Sequence, residues 1–185
     1  MGMIEYFTEG IILDKERKAD FDGSICLYTK DYGKIIAKAK GVYKPTSKLA
    51  GHLEPLNLVN LRIVEKNGFQ IVDALTIKKI VGNQATKSKK FYQQAIDLLL
   101  FIKEMTFDLQ FDPKLWQAIL KTFEAINKKR TPSRSLILGA LGFSPKFAQC
   151  QICKNKSVRY FSKKDQVFYC SKCALKANKN DLILI

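Results

Sequence analysis

Acidic residues are scarce in this 185-residue chain: 17 aspartates and glutamates stand against 32 lysines and arginines, for a formal charge of +15. Such an imbalance disfavours cationic partners and favours polyanions, either nucleic acid or an acidic protein surface. Histidine is rarer still, since His52 is the only one. The chain therefore has no Ser-His-Asp set, and it also lacks a G-x-x-x-x-G-K-[ST] phosphate loop and an evident carboxylate cluster for two-metal chemistry. A non-enzymatic protein is the expectation. Beside Gly51, His52 reads most simply as a turn residue, with base stacking as the alternative. Long apolar runs are missing too. The most apolar stretch, Ala95 to Ile102, contains Asp97 and is far shorter than the roughly 20 residues that span a bilayer. The first ten residues carry two glutamates and no lysine, unlike the basic region and apolar run of a signal peptide. These absences point to a soluble cytoplasmic protein without repeats or low-complexity segments.

What the chain has in excess is lysine, and it is unevenly placed. Residues 1–83 hold 13 basic and 10 acidic side chains, residues 84–145 hold 10 and 5, and residues 146–185 hold 9 and 2. The surplus rises from +3 through +5 to +7. The densest local cluster nevertheless sits early, where Lys34, Lys38, Lys40, Lys44 and Lys48 follow one another with no acid between Tyr32 and Leu53. From Lys34 to Lys40, a period of two puts Lys34, Lys38 and Lys40 on one strand face and Ile35, Ala37 and Ala39 on the other. Gly41 and Pro45 break the strand, and the loop that follows offers ammonium and hydroxyl donors suited to phosphate oxygens. A solvated edge strand protected against aggregation is the competing interpretation. Arg62 is a weaker candidate from a later strand. Tyr32 and Tyr43 flank the cluster and suit either base stacking or packing at a barrel rim.

Turn residues divide the first 80 positions into strands. Gly10–Arg17, Ser24–Lys30 and Lys34–Lys40 form a meander, and Leu56–Glu65 and Phe69–Ile80 form a hairpin through Lys66, Asn67 and Gly68. Five strands over about 80 residues fit a small barrel, but an oligonucleotide-binding barrel, an SH3-like barrel and a mixed sheet would read almost alike. Cys26, between Ile25 and Leu27, reads as a buried structural thiol. The composition turns polar and basic over Gly82–Lys90, which marks a domain boundary. Phe91, Ala95, Leu98, Ile102 and Met105 then recur at helical spacing, and Tyr92, Ile96, Leu99 and Phe101 widen the stripe enough to bury the helix on more than one side. Asp112 before Pro113 is a helix start, and Trp116, Ile119, Leu120, Phe123 and Ile126 form a stripe in which the indole is expected to be core. A third helix is expected from about Pro132 to Leu141, capped by Thr131 or Ser133 and stopped by Gly142.

Cys150 and Cys153 are two residues apart, as are Cys170 and Cys173, with sixteen residues between the pairs. This is the spacing of a four-thiolate zinc site, in which two knuckles close a tetrahedron. A redox dithiol expects one CxxC in a βαβ context, which this segment does not have. Val158–Phe161 and Gln166–Tyr169 are the strands expected to bring the knuckles together, turning at Lys163–Asp165. A module of about 40 residues buries too little surface to fold unaided, so the metal is a fold element. The chain thus reads as α+β in three segments: a barrel over 1–82, a helical bundle over 83–145 and a zinc module over 146–185.

Several of these features occur together in one known family. Tyr32-Gly33-Lys34, Ala39-Lys40-Gly41, Ser47-Lys48-Leu49-Ala50-Gly51 and Leu53-Glu54-Pro55 resemble the N-terminal domain of the RecO family of bacterial recombination mediators. The run from Leu138 to Pro145 ahead of the first cysteine, and the paired CxxC, extend the resemblance over essentially the whole chain. It implies a five-stranded oligonucleotide-binding barrel followed by helices and a zinc module. It also implies a mediator that binds single- and double-stranded DNA, anneals complementary strands, and works with RecR and the single-stranded-DNA-binding protein SSB to load RecA in the bacterial cytoplasm, at the nucleoid. Lys34, Lys38, Lys40, Lys44 and Lys48 would track the backbone, with Arg62 and Tyr43 beside them. If about five phosphates are engaged on a single strand, log K should fall with log salt at a slope of roughly −3.5. The family pattern continues well past the zinc module, whereas twelve residues follow Cys173 here. A zinc-containing RNA-binding or ribosome-associated protein is the other class that the charge permits.

Overall fold

The computed structural model describes residues 4–82 and 88–185. Five strands, β1 (Ile4–Ala19), β2 (Asp22–Thr29), β3 (Gly33–Ala39), β4 (Asn57–Glu65) and β5 (Phe69–Lys79), close a barrel in the order β1-β2-β3-β5-β4. Closure rests on β1, which is twice the expected length. Its first half pairs antiparallel with β4 (Ile4 to Ile11 against Glu65 to Leu58) and its second half with β2 (Gly10 to Ala19 against Thr29 to Asp22). Sequence patterning missed the Ile4–Glu9 half because Glu5, Phe7 and Glu9 mix charge with an aromatic on one face, while Thr8 and Gly10 leave the other face little apolar signal.

Gly10 is where the strand passes from one partner to the other. A β-carbon there would come within 3.0 Å of Leu61 Cδ1 and 3.1 Å of Leu27 Cδ1, so only glycine leaves room for both leucines inside the barrel. The ring is completed by a short parallel pairing of Ala37–Ala39 with Phe69–Ile71. At the β4–β5 turn Gly68 takes φ +97°, as the hairpin signal requires of one residue.

The barrel is apolar on both sides of its wall where the helices meet it. Ile12, Ile25, Leu27, Ile35, Ala37 and Ile63 fill the interior. On the outside, Ile11, Leu13, Cys26 and Tyr28 belong to a second core shared with the helices. α1 (Lys89–Met105) buries Ala95, Leu98, Leu99, Phe101, Ile102 and Met105, and this wide stripe lets it pack on the barrel and on α2 (Pro113–Asn127) at once. Trp116 is buried and stacks on Tyr28 at 6.3 Å between ring centroids, so the indole is core. Asp112 caps α2, accepting from the backbone N–H of Lys114 (2.7 Å) and Leu115 (3.3 Å).

α3 (Ser135–Ala140) is shorter than its pattern suggests, and its N-cap is Arg134 in place of Thr131 or Ser133. Gly142 at φ +90° ends it as expected. The polar boundary over 82–90 falls mostly on residues 83–87, outside the described residues.

The C-terminal segment adds β6 (Tyr160–Ser162), β7 (Val167–Tyr169), α4 (Ser171–Ala174) and β8 (Leu182–Leu184), with the sheet ordered β7-β6-β8. The third strand has no counterpart in the sequence reading. Phe161 and Phe168 belong to the same buried cluster as α1 and α2, and Phe143 lies 5.3 Å from Phe161 between ring centroids. One apolar core therefore runs from the outer barrel wall through the helices into the C-terminal sheet.

Candidate nucleic-acid interface and metal centre

The alternation in β3 falls as its period requires. Ile35, Ala37 and Ala39 are buried, while Lys38 and the following Lys40 are exposed. Lys38 and Lys40 line an open cleft of about 450 Å³. One side of the cleft is the β1–β2 turn, with Lys18, Ala19 and Asp22, and the other is the β4–β5 turn, with Gly68 and Phe69. Its floor is the outer face of β2 and β3, where Ser24 pairs with Lys38 and Ile36 is 53% exposed. The stem of the exposed Lys44 lies over Gly41, 3.3 Å from where a β-carbon would stand. Lys48 is exposed on the next turn, and Lys15 holds that turn to β1 by donating to the Ala50 carbonyl at 3.0 Å and to Glu54 at 2.6 Å. Among the described residues no carboxylate lies within 4.0 Å of the ammonium groups of Lys38, Lys40, Lys44 or Lys48. The cleft's one acid, Asp22, accepts from the Gly41 backbone N–H at 2.7 Å and makes no ion pair with these lysines.

Three expected contacts do not belong to this surface. Lys34 shares the outward register of Lys38, but its side chain is only 15% exposed. It donates to the carbonyls of Lys103 (3.1 Å) and Thr106 at the end of α1 and pairs with Asp108 at 3.3 Å. The free carbonyls of a helix C-terminus attract a cation, so Lys34 fastens the barrel to α1. Replacing it with alanine is expected to cost about 2–3 kcal/mol, the worth of charged hydrogen bonds lost with their acceptors left in place. Urea unfolding measures that loss, and the salt dependence of DNA binding should stay as in the wild type.

Arg62 stands opposite Asp73 across β4 and β5 and 3.9 Å from Glu5, so acids flank it on a different side of the barrel. Tyr43 is covered by Arg17, whose guanidinium sits 4.5 Å from the ring centroid, with the Lys15 ammonium at 5.1 Å. The cations lie over a ring that is itself packed, partly buried, against the barrel core. Tyr32 likewise packs edge-on against Tyr6 at 5.1 Å. His52 accepts from the Thr76 backbone N–H at 3.1 Å through Nδ1, which makes it a turn anchor. Lys18, absent from the sequence reading, also lines the cleft but is paired with Glu16 at 2.8 Å.

Cys26 is buried, and desolvation pushes its thiol up to about 11, which removes it from thiolate chemistry. The other four cysteines converge, with their sulfurs all within 4.8 Å of one another. Lys154 at φ +58° lets the chain curl back after Cys153, donating its N–H to the Cys150 carbonyl at 2.9 Å. Cys170 precedes α4 and Cys173 lies within it, so one helical turn brings the second pair together. Burial pushes the Cys150 thiol up, but backbone N–H groups of Cys153, Cys170 and Ile152 aimed at the sulfur outweigh it and bring it down to about 6. The Cys173 backbone N–H lowers Cys170 in the same way. Cys173 is pushed up to about 12, first by desolvation and then by the neighbouring sulfurs. Four thiolates at this spacing repel one another unless a cation lies between them, and N–H donors directed at sulfur favour the ionised form that a metal requires. The cluster fits a tetrahedral metal ion.

The comparisons with known proteins follow the same division of the chain. Residues 3–81 match the family model described as Recombination protein O N terminal. Similarity to curated relatives extends beyond the barrel to most of the chain. The DNA repair protein RecO of Dehalococcoides mccartyi is 26% identical over 185 residues, covering 91% of this chain and 70% of the relative. The barrel belongs to the RecO N-terminal family, and the chain as a whole resembles RecO proteins. Another RecO-family relative, the DNA repair protein RecO of Caldanaerobacter subterraneus subsp. tengcongensis, is 27% identical over 90% of this chain and 70% of its own length. The one from Myxococcus xanthus is 26% identical over 82% of this chain and 64% of its own length. The region matched by the RecO family model takes in the whole described barrel, including both turns that frame the lysine-lined cleft.

Proposed function

We propose that this chain serves DNA repair and recombination as a non-enzymatic mediator, binding single- and double-stranded DNA on an oligonucleotide-binding barrel and annealing complementary strands. The observation that carries this reading is the position of the lysine-lined cleft. In oligonucleotide-binding folds the ligand lies across strands 2 and 3, between the loops that join strands 1 to 2 and 4 to 5. The cleft with Lys38 and Lys40 has that floor and those two walls.

Lysines at this spacing replace the counterions condensed on a phosphate backbone, and release of those ions drives binding without reading sequence. The exposed Ile36 supplies apolar area against which a base can lie, beside a partly buried Phe69 that packs edge-on against Tyr6. Annealing follows from screening, since a cationic surface that ignores base identity lowers the repulsion between two strands. Zinc is the metal that suits four cysteine ligands at this spacing, and its role is structural because all four positions are filled by the protein.

The partners in this reading are RecR, SSB and, indirectly, RecA, in the bacterial cytoplasm at the nucleoid. Among the described residues no helix is long and apolar enough to cross a membrane. The test is annealing of complementary oligonucleotides coated with SSB, with and without the chain. A marked acceleration is expected. An unchanged rate, or preferential binding of RNA over single-stranded DNA of the same sequence, would count against the reading.

A further inference from the structure

The largest surplus of positive charge lies away from the barrel. Residues 146–185 carry nine basic side chains and two acids, and both acids are engaged locally: Asp165 accepts from Ser162 Oγ at 2.9 Å and Asp181 from Asn178 Nδ2 at 2.9 Å. Of the nine cations, Lys163 is tied to Glu104 at 2.6 Å. Among the described residues none of the other eight lies within 4.0 Å of a carboxylate.

The cysteine cluster gathers four of them. Lys154 follows Cys153 directly, Lys156 follows the Asn155 whose carbonyl accepts from the Cys150 N–H, Lys172 precedes Cys173, and Lys176 donates its backbone N–H to the Cys173 carbonyl. Because the four sulfurs converge within 4.8 Å, all four lysines are held around one end of the module, and each is exposed. The same end carries two apolar side chains turned to solvent, Ile152 at 53% and Leu175 at 75% exposure, one from each knuckle. Exposed apolar side chains among lysines on the same two knuckles match a ligand with an anionic backbone and apolar bases, and zinc knuckles are a recurring single-strand-binding device.

We propose that this lysine-bearing end of the metal module is a second contact for single-stranded DNA, holding a strand, or a length of strand, that the barrel does not. It rests on the reading of the barrel given above and adds to it. Annealing brings two polyanions together, and two separate cationic surfaces on one continuous core let each strand be screened by its own lysines before they meet.

Photo-crosslinking tests this on the unaltered chain, with iododeoxyuridine placed along a single-stranded oligonucleotide and the adducts mapped by mass spectrometry. Adducts in 150–156 and 171–177, besides those at the cleft, are expected; adducts confined to the barrel would overturn the inference. The full-length variant Lys154→Glu/Lys172→Glu/Lys176→Glu, with its metal content verified, gives the energetic counterpart. Removing three phosphate contacts should flatten the salt slope by about 2 and slow annealing about tenfold or more, whereas wild-type slope and rate would sink the proposal. Binding of this end to vesicles of anionic lipid but not to the oligonucleotide would sink it equally. If Lys38→Glu/Lys40→Glu abolishes binding while the knuckle variant is silent, the second contact fails alone; if neither variant has an effect, the barrel reading fails with it.

Discussion

Chelating the metal proposed for the four cysteines, or replacing Cys150 with serine, is expected to lower the melting temperature of the whole chain and not only to loosen its C-terminal segment. The reason is the continuity of the core. Phe161 and Phe168 are buried among side chains of α1 and α2, and β6 and β7, which carry them, have three residues each. Strands that short do not hold themselves in place. The two knuckles position them, since the Gln151 backbone N–H donates to the Phe168 carbonyl at 2.9 Å and the Arg159 N–H donates to the Tyr169 carbonyl at 3.0 Å.

Without a cation the four sulfurs no longer have a reason to converge, and the aromatic plug under the helices loses its support. Structural zinc contributes about 10–16 kcal/mol in isolated finger peptides. Coupling of even about 5 kcal/mol of that to the helical core lowers Tm by about 10–20 °C for a chain of this size. Trp116 reports on the helical core and is distant in sequence from the cysteines, so its fluorescence transition is the decisive signal. A tryptophan transition that stays put while the metal is absent would show that the module folds apart from the helices. Lowering the pH should release the metal with the same consequence, because protons compete for thiolate sulfur.

Much of this arrangement was legible in the residues, and where it was not the cause is physical. The period of β3, the Asp112–Pro113 helix start and the CxxC spacing each encode a local geometry, and local geometry is what a sequence pattern reports. The wide stripe on α1 foretold burial on two sides, though not which neighbours it would meet. The first half of β1 escaped notice because Glu5 and Glu9 interrupt its pattern and its pairing partner, β4, lies far along the chain. α3 starts at Ser135, later than its pattern suggests, with the Ser133 hydroxyl accepting the Ser135 N–H at 3.2 Å.

Lys34 is the clearest case. Its charge and register are those of Lys38, yet α1 ends against it and takes its ammonium as a cap. No spacing within the lysine run distinguishes a cation that meets a helix terminus from one that meets solvent. Arg62 and Tyr43 repeat the lesson: Glu5 and Arg17, the residues beside them, come from another strand.

Reversing Lys38, Lys40 and Lys44 to glutamate should remove most of the affinity for single-stranded DNA. With Lys34 withdrawn to the helix, four lysines of the run remain exposed, and about four phosphates engaged on a single strand would give a salt slope of about −2.8. An ion pair at contact distance in water is worth about 1 kcal/mol. Three lost pairs therefore cost about 3 kcal/mol, on the order of 100-fold in affinity, and the repulsion of three new carboxylates adds to that. The fold should tolerate the change, because all three lysines are exposed and none has an ion-pair partner among the described residues. The stability of the variant in urea thus separates this effect from that of Lys34→Ala, in which stability falls and the salt slope is kept. Opposite outcomes in the two variants would locate the phosphate footprint at the open end of β3, beside the cleft. Should the triple variant bind as the wild type does, with an unchanged slope, the lysines of the barrel are no footprint and the polyanion meets the chain elsewhere.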